Sequence, residues 1–344
     1  MRDPFRNFNV YKIDPLSEIR NAGIVTNGEV YWVSSENDSD HRERTDLLGN
    51  TSVKTSLQAA INATENDAND YVLVLPTDGG TVRAVGTAID FNKRRVHTLG
   101  LGAKSGQQTG NGLAFQGYVA ANGIDTELAY VSAQGQEIGG LKFLGTSGTA
   151  AGGTITALFR VGTASSGTPH DLWMHDVTVE ANQAESTGGT SPLLEITGDV
   201  ATGIRGLRFE RCWIGNFSWA PTPVVSVSGT AGPSRAEFLD CTFVVDSQAT
   251  TERFVTWGTG VTEYGVFKNC DFINVEAGTA PASVISGALL VDNPLLVLDC
   301  KGLNVTNFGT DTELFVSPIQ SGTAGAGMRN PGIAIIGTAG IVAA

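Results

Sequence analysis

The sequence predicts an all-β fold, a right-handed parallel β-helix: a solenoid of coils about thirty residues long with a short N-terminal capping helix and an extended N-terminal arm. Three observations predict it. Four cysteines stand at 212, 241, 270 and 300, at spacings of 29, 29 and 30. Each has an apolar residue three places before it, and three have another two places after: Phe209…Cys212…Ile214, Phe238…Cys241…Phe243, Phe267…Cys270…Phe272 and Val297…Cys300. A second set of short alternating segments repeats at about the same period: Leu158–Gly162, Leu193–Gly198, Val224–Gly229, Phe254–Gly258 and Val284–Gly287, with Leu314–Ser317 as a further member. The composition agrees, because 43 glycines, 17% charged and 8% aromatic residues suit many short strands joined by small-residue turns.

The cysteine frame extends backwards. It fits Met174…Val177…Val179, Ile138…Leu141…Phe143 and Val96…Leu99…Leu101, so the column runs Leu99, Leu141, Val177, Cys212, Cys241, Cys270, Cys300. The early intervals are longer, at 42, 36 and 35, and the excess reads as Gly/Thr/Ser-rich loops such as Gly145–Thr154 and Gly162–Thr168. In-register parallel pairing places successive coils about 4.8 Å apart, so roughly eight coils make a prism about 40 Å tall. The leucine-rich repeat, the rival solenoid, lacks support because its Leu-x-x-Leu-x-Leu pattern and asparagine ladder are missing.

The start of the solenoid has its own signals. Val53, Leu57, Ala60 and Ile61 fall on one helical face, with Thr51 or Ser52 as N-cap, and Tyr71–Leu75 reads as a buried strand ended by Pro76. A helix there covers core and strand edge at the open end of the stack. The chain therefore divides into an arm (1–28), an entry strand with capping helix (29–80), the β-helix (81–320) and a C-terminal tail (321–344) that is flexible, then apolar. That tail reads either as a last strand or as a segment docking on a neighbour. In the arm, Phe5, Phe8, Tyr11 and Ile13 are too apolar for a free tail and read as a partner-binding strap. The arm carries +1 of the net charge of −13, leaving −14 for the remainder.

That charge argues against nucleic acid as a partner. No apolar run reaches eighteen residues, so no membrane span is expected, and Met1–Arg6 lacks the apolar core of a secretory signal.

From Val30 to Gly102 the layout resembles phage virion proteins of the pectate-lyase-like right-handed parallel β-helix superfamily, of capsid-decoration or tailspike type. The matching features are the aromatic-Val-x-Ser strand of Tyr31–Asp40 with its polar continuation, the helix Ser52–Ala63 and the Val-x-Leu-Pro strand Val72–Pro76. The resemblance implies the β-helix, a place on the phage particle and assembly as a homotrimer.

Chemistry is harder to find in the residues. The cysteines lie in a line over successive coils without any CxxC or Cys/His cluster, so they read as small core residues and not as metal ligands. Asp240 and Asp271, on adjacent coils, and Asp176 are the candidate catalytic carboxylates for glycoside hydrolysis. The Asn-Thr-Asp, Asp-Asp and Gly-His-Gly segments of polygalacturonase-like enzymes are missing, as is a calcium-binding aspartate cluster of the pectate-lyase kind. His170 and His175, with Asp171 and Asp176, suggest a metal site, but their odd separation fits no single strand face and reads as a turn entering a strand. Trp213 and Trp219 are candidate contacts for glycan or a partner. No cofactor and no metal is expected.

These readings favour a structural virion protein, a capsid-associated decoration or cement protein made in the host cytoplasm. It would meet the major capsid protein or other virion proteins through its arm. The alternatives are a tailspike or fibre that cleaves host polysaccharide, and a non-catalytic adhesin that binds host glycan.

Overall fold

The computed structural model describes residues 28–317 except 37, 39–40, 78–79, 102–112, 119–126, 147–156, 163–168, 183–191, 198–203, 216–222, 229–232, 248–252, 259–263, 276–280, 282, 287–294 and 310–313. The arm with Phe5, Phe8, Tyr11 and Ile13, the tail, Trp219 and most of the predicted loop insertions fall outside the described residues. Among them, the chain forms three parallel sheets of 11, 8 and 7 strands, and every pairing is parallel. The chain is a right-handed parallel β-helix. No helix among the described residues is long and apolar enough to cross a membrane.

Each coil visits the first, second and third sheet in turn. The frame Phe238…Cys241…Phe243 is not one strand, as the sequence suggested, but a bend between two. Arg235–Leu239 lies in the first sheet, Thr242–Val245 in the second, and Asp240–Cys241 forms the corner. The corner turns because the residue before the column adopts the left-handed conformation: Gly140, Asp176, Arg211, Asp240, Asn269 and Asp299 have φ between 51° and 65°. Glycine, asparagine and aspartate accept that conformation at lowest cost, and they hold five of the six positions.

Inward residues stack in register on both sides of the corner. Phe209, Phe238 and Phe267 lie parallel with ring centroids 4.7 Å apart, and Phe243 stacks on Phe272 at 4.8 Å. These distances equal the strand spacing, so each ring rests on its counterpart one coil away. The cysteines are buried and unpaired. Each thiol lies 3.3–3.6 Å from two carbonyl oxygens, as when Cys270 Sγ faces Phe238 O and Lys268 O. Burial pushes the thiols of Cys212, Cys241 and Cys270 up, away from thiolate reactivity.

The sequence register holds from Leu141 onward and slips before it. Thr98 pairs with Ile138, so Leu101 takes the corner position and Leu99 faces outward beside Leu73 and Trp32. The apolar pattern matched Val96 because the true inward residue, Thr98, is polar and fully buried. Leu314–Ser317 joins the first sheet beside Leu295–Leu298, and the third sheet continues instead through Asn307 and Phe308, whose carbonyls accept from Val284 and Ile285.

Two helices precede the stack. Helix α1 (His41–Leu48) lies in the entry segment and was not foreseen. Helix α2 (Leu57–Ala63) is the capping helix, shorter than expected, and its N-cap is Ser56 instead of Thr51 or Ser52. Those residues lead into Val53–Lys54, which pairs with Trp32–Val33 as a strand. Leu57, Ala60 and Ile61 seal the core. Gln58 meanwhile closes the edge strand Ile89–Phe91: its Oε1 accepts from Asp90 N at 2.7 Å and its Nε2 donates to Asp90 O at 3.3 Å. An amide thereby supplies the pairing that a further strand would give.

Candidate functional site

On the outer face of the first sheet, polar side chains from four successive strands join end to end. His97 Nδ1 lies 2.5 Å from Glu137 Oε2, and Glu137 Oε1 lies 3.1 Å from His175 Nε2. His175 Nδ1 lies 2.9 Å from Asp176 Oδ2, and Arg211 grips Asp176 through Nε and Nη2, both at 2.9 Å. Glu210 continues the chain, pairing with Arg211 and with Arg208 Nη2 at 3.0 Å. Aromatic rings flank it: Tyr71 stacks on His97 at 4.4 Å, and Trp173 leans on His175 at 4.5 Å. Trp173 Nε1 donates to Glu210 at 3.3 Å while the ring stays 40% exposed.

Strand register explains why this cluster assembles. Glu137, Trp173 and Arg208 occupy one outward register position, and Gly139, His175 and Glu210 occupy the next. Gly139 makes room: a Cβ there would stand 2.4 Å from His175 Cε1. The bare backbone lets the imidazole lie back over the preceding coil and reach Glu137.

Electrostatics follow from the geometry. Burial alone would raise the Glu137 pKa, but hydrogen bonds from His175 and His97 outweigh it and bring it down to about 2. Burial pulls His175 down, and bonds to Glu137 and Asp176 more than reverse that, so it titrates above its ordinary value.

A second polar cluster lies on the third sheet. Asp90, Tyr130, Arg160 and Glu195 share one outward register position. Arg160 pairs through Nη1 with Glu127, and its Nε sits 2.9 Å from Glu195 Oε2, a contact held by charge and not by an aligned hydrogen bond. Burial raises the Glu195 pKa; Arg160 opposes the shift and Glu127 adds to it. Ser132 Oγ donates to Asp90 at 2.7 Å, and burial followed by the Asp90 charge pushes the Tyr130 hydroxyl up to about 12.

The sequence candidates occupy other places. Asp240 is a corner residue that accepts from Asn269 Nδ2, whereas Asp271 lies on the second sheet with Lys301 Nζ 3.9 Å away. They flank the cysteine column, each turned to its own neighbour. Asp176 is a corner residue too, and the first-sheet network includes it. His170 accepts from Arg205 N at 3.1 Å through Nδ1, apart from His175. Trp213 is half-buried on the second sheet, between Thr178 and Thr242. Spacing gave no signal for His97, Glu127, Glu137, Arg160 or Glu195, because irregular intervals separate the early coils. Among the described residues no three His, Cys, Asp or Glu side chains converge as metal ligands.

Neither a family model nor a curated protein matches the sequence. Solved structures similar to the chain include a pectin methylesterase in complex with a hexasaccharide, at 15% identity, covering 83% of this chain and 81% of that one, with a TM-score of 0.48. The pectin methylesterase PemA of Erwinia chrysanthemi follows at 13% identity, with the same coverages and a TM-score of 0.45. A protein of Geobacillus virus E2 is similar at 11% identity over 71% of this chain and 56% of its own, with a TM-score of 0.30.

The histidine network sets a pH dependence. His175 has a raised folded pKa, so its contribution is whole below the unfolded value of 6.5 and is lost as pH rises through the folded value. Glu137 contributes above its unfolded value of 4.5, and that contribution is lost as pH falls towards about 2. The melting temperature should therefore fall as pH rises from the unfolded value of 6.5 through the raised folded value, and His175→Gln should flatten that fall while lowering the plateau. Thermal melts of both proteins across that range test this.

Proposed function

We propose that this chain is a structural protein of a tailed-phage particle, a capsid-associated decoration or cement protein. One observation supports this most: its outward charges join coil to coil. The network from His97 to Arg211 ties four successive strands of the first sheet together, and Arg160 ties three of the third. Side chains used this way stiffen a rod. Above a continuous core of stacked phenylalanines, they give a body suited to holding neighbouring subunits in fixed positions. The phage setting draws on the entry layout of Tyr31–Asp40, the capping helix and Val72–Pro76. In this reading Phe5, Phe8, Tyr11 and Ile13 dock the arm on the major capsid protein or another virion protein, and several copies on one particle gain avidity. Mass spectrometry and electron microscopy of purified particles should find the chain on the particle surface. Replacing the four arm residues by serine should abolish its incorporation, and particles lacking the wild-type chain would contradict the reading.

A second reading, cleavage of host polysaccharide, is favoured by Glu195. Its raised pKa and the two carboxylates around Arg160 are what a general acid and its partner require. It predicts depolymerisation of host capsule by the pure protein, with Glu195→Gln lowering the rate at least about a hundredfold. Capsule that keeps its chain length would exclude it.

A further inference from the structure

The core holds four nucleophilic side chains that neither reading above uses. Cys212, Cys241, Cys270 and Cys300 are free and buried, one on each of four successive coils. Their thiols repeat in orientation as well as in position. Each Sγ meets the carbonyl two residues before it and another from the preceding coil. For Cys241 these are Leu239 O at 3.4 Å and Phe209 O at 3.5 Å, and for Cys300 they are Leu298 O and Phe267 O, both at 3.4 Å. Successive thiols therefore stand one strand spacing, about 4.8 Å, apart. They interact pairwise along the column, Cys212 with Cys241, Cys241 with Cys270 and Cys270 with Cys300.

A line of thiols at that spacing suits one coordination geometry. With a zinc–thiolate bond of about 2.3 Å as the guide, a linear thiolate–metal–thiolate unit spans about 4.6 Å. Adjacent coils supply that span with little movement of the ladder. A tetrahedral ion such as Zn2+ needs four converging ligands, and among the described residues no three His, Cys, Asp or Glu converge. The straight column that rules out a tetrahedral ion is the arrangement a linear one requires. Charge narrows the choice further. The thiols lie in the apolar core, where an uncompensated charge is costly. Two thiolates cancel a divalent ion, whereas a monovalent ion would leave one negative charge unbalanced.

We infer that cysteines on adjacent coils bind a soft divalent ion of linear coordination, for which Hg2+ is the probe. Each pair releases two S–H protons to solvent and forms two sulfur–metal bonds, with no change of oxidation state. Four thiols in line make two such pairs. The inference concerns the pure protein and stands apart from the particle and enzyme readings.

Titration of the full chain with Hg2+ tests it, in an excess of glutathione that removes ions held by a single thiol. The wild type should retain two ions per chain, with a rise in melting temperature and in thiolate-to-metal ultraviolet absorbance. Cys212→Ala with Cys241→Ala leaves two thiols on adjacent coils and should retain one ion. Cys212→Ala with Cys270→Ala also leaves two thiols, but two coils apart, and should retain none. If thermal melts show either double variant unfolded, Cys300→Ala alone should halve the number retained. Zn2+ at the same concentration should not be held. A wild type that retains no Hg2+, retention unchanged in Cys300→Ala, equal retention by the adjacent and separated pairs, or equal retention of Zn2+ would overturn the inference.

Discussion

The structure depends on a one-residue corner. Between the first and second sheets the chain must change direction by the width of a single left-handed residue, and it does so six times in register, from Gly140 to Asp299. That residue also carries the ladder across the bend. Gly140, Asp176, Arg211, Asp240 and Asn269 each donate their N–H to a carbonyl of the next coil, His175, Glu210, Leu239, Lys268 and Leu298 in turn. At these five corners the backbone N–H is satisfied, so the ladder continues through the turn.

The cysteine column is a consequence of this corner. A side chain directly after the left-handed residue points into the narrow angle between two sheets, where Phe238 and Phe243 already meet edge to face at 5.8 Å. A larger group would push those ladders apart, and a smaller one would leave a void. Leucine and valine fill the position in the early coils, and cysteine fills it in the later ones, with phenylalanine on both sides at Cys241 and Cys270. The thiol adds weak donation to carbonyls at the bend. The same fit governs the opposite wall, where Gly265 leaves room for the Trp257 indole: a Cβ at 265 would stand 2.4 Å from Trp257 Cζ2.

Much of this was legible in the sequence because the later coils repeat at 29 or 30 residues with the same apolar frame. The second sheet was not legible, since a corner of one residue keeps the spacing of an unbroken strand. Thr98 hid the first register step, being polar where the pattern required an apolar residue. The outward networks were illegible for a different reason. His97, Glu137 and His175 meet because three strands stack, and their separations of 40 and 38 residues reflect insertions of no fixed length. Only Gly139, a glycine inside a strand, hinted that something approached the backbone closely there. Asp240 and Asp176 looked like functional carboxylates because a left-handed corner and an acid site favour the same residue types.

That ambiguity makes Asp240 the direct test of the corner. Unfolding free energies from urea titration should be compared for the wild type, Asp240→Gly and Asp240→Val. If the left-handed conformation is what the position demands, glycine should change stability by less than about 0.5 kcal/mol. Valine, β-branched and forced to the same φ of 54°, should cost about 1–2 kcal/mol. Equal losses for both variants would contradict the account, because the carboxylate and not the backbone would then be holding the corner.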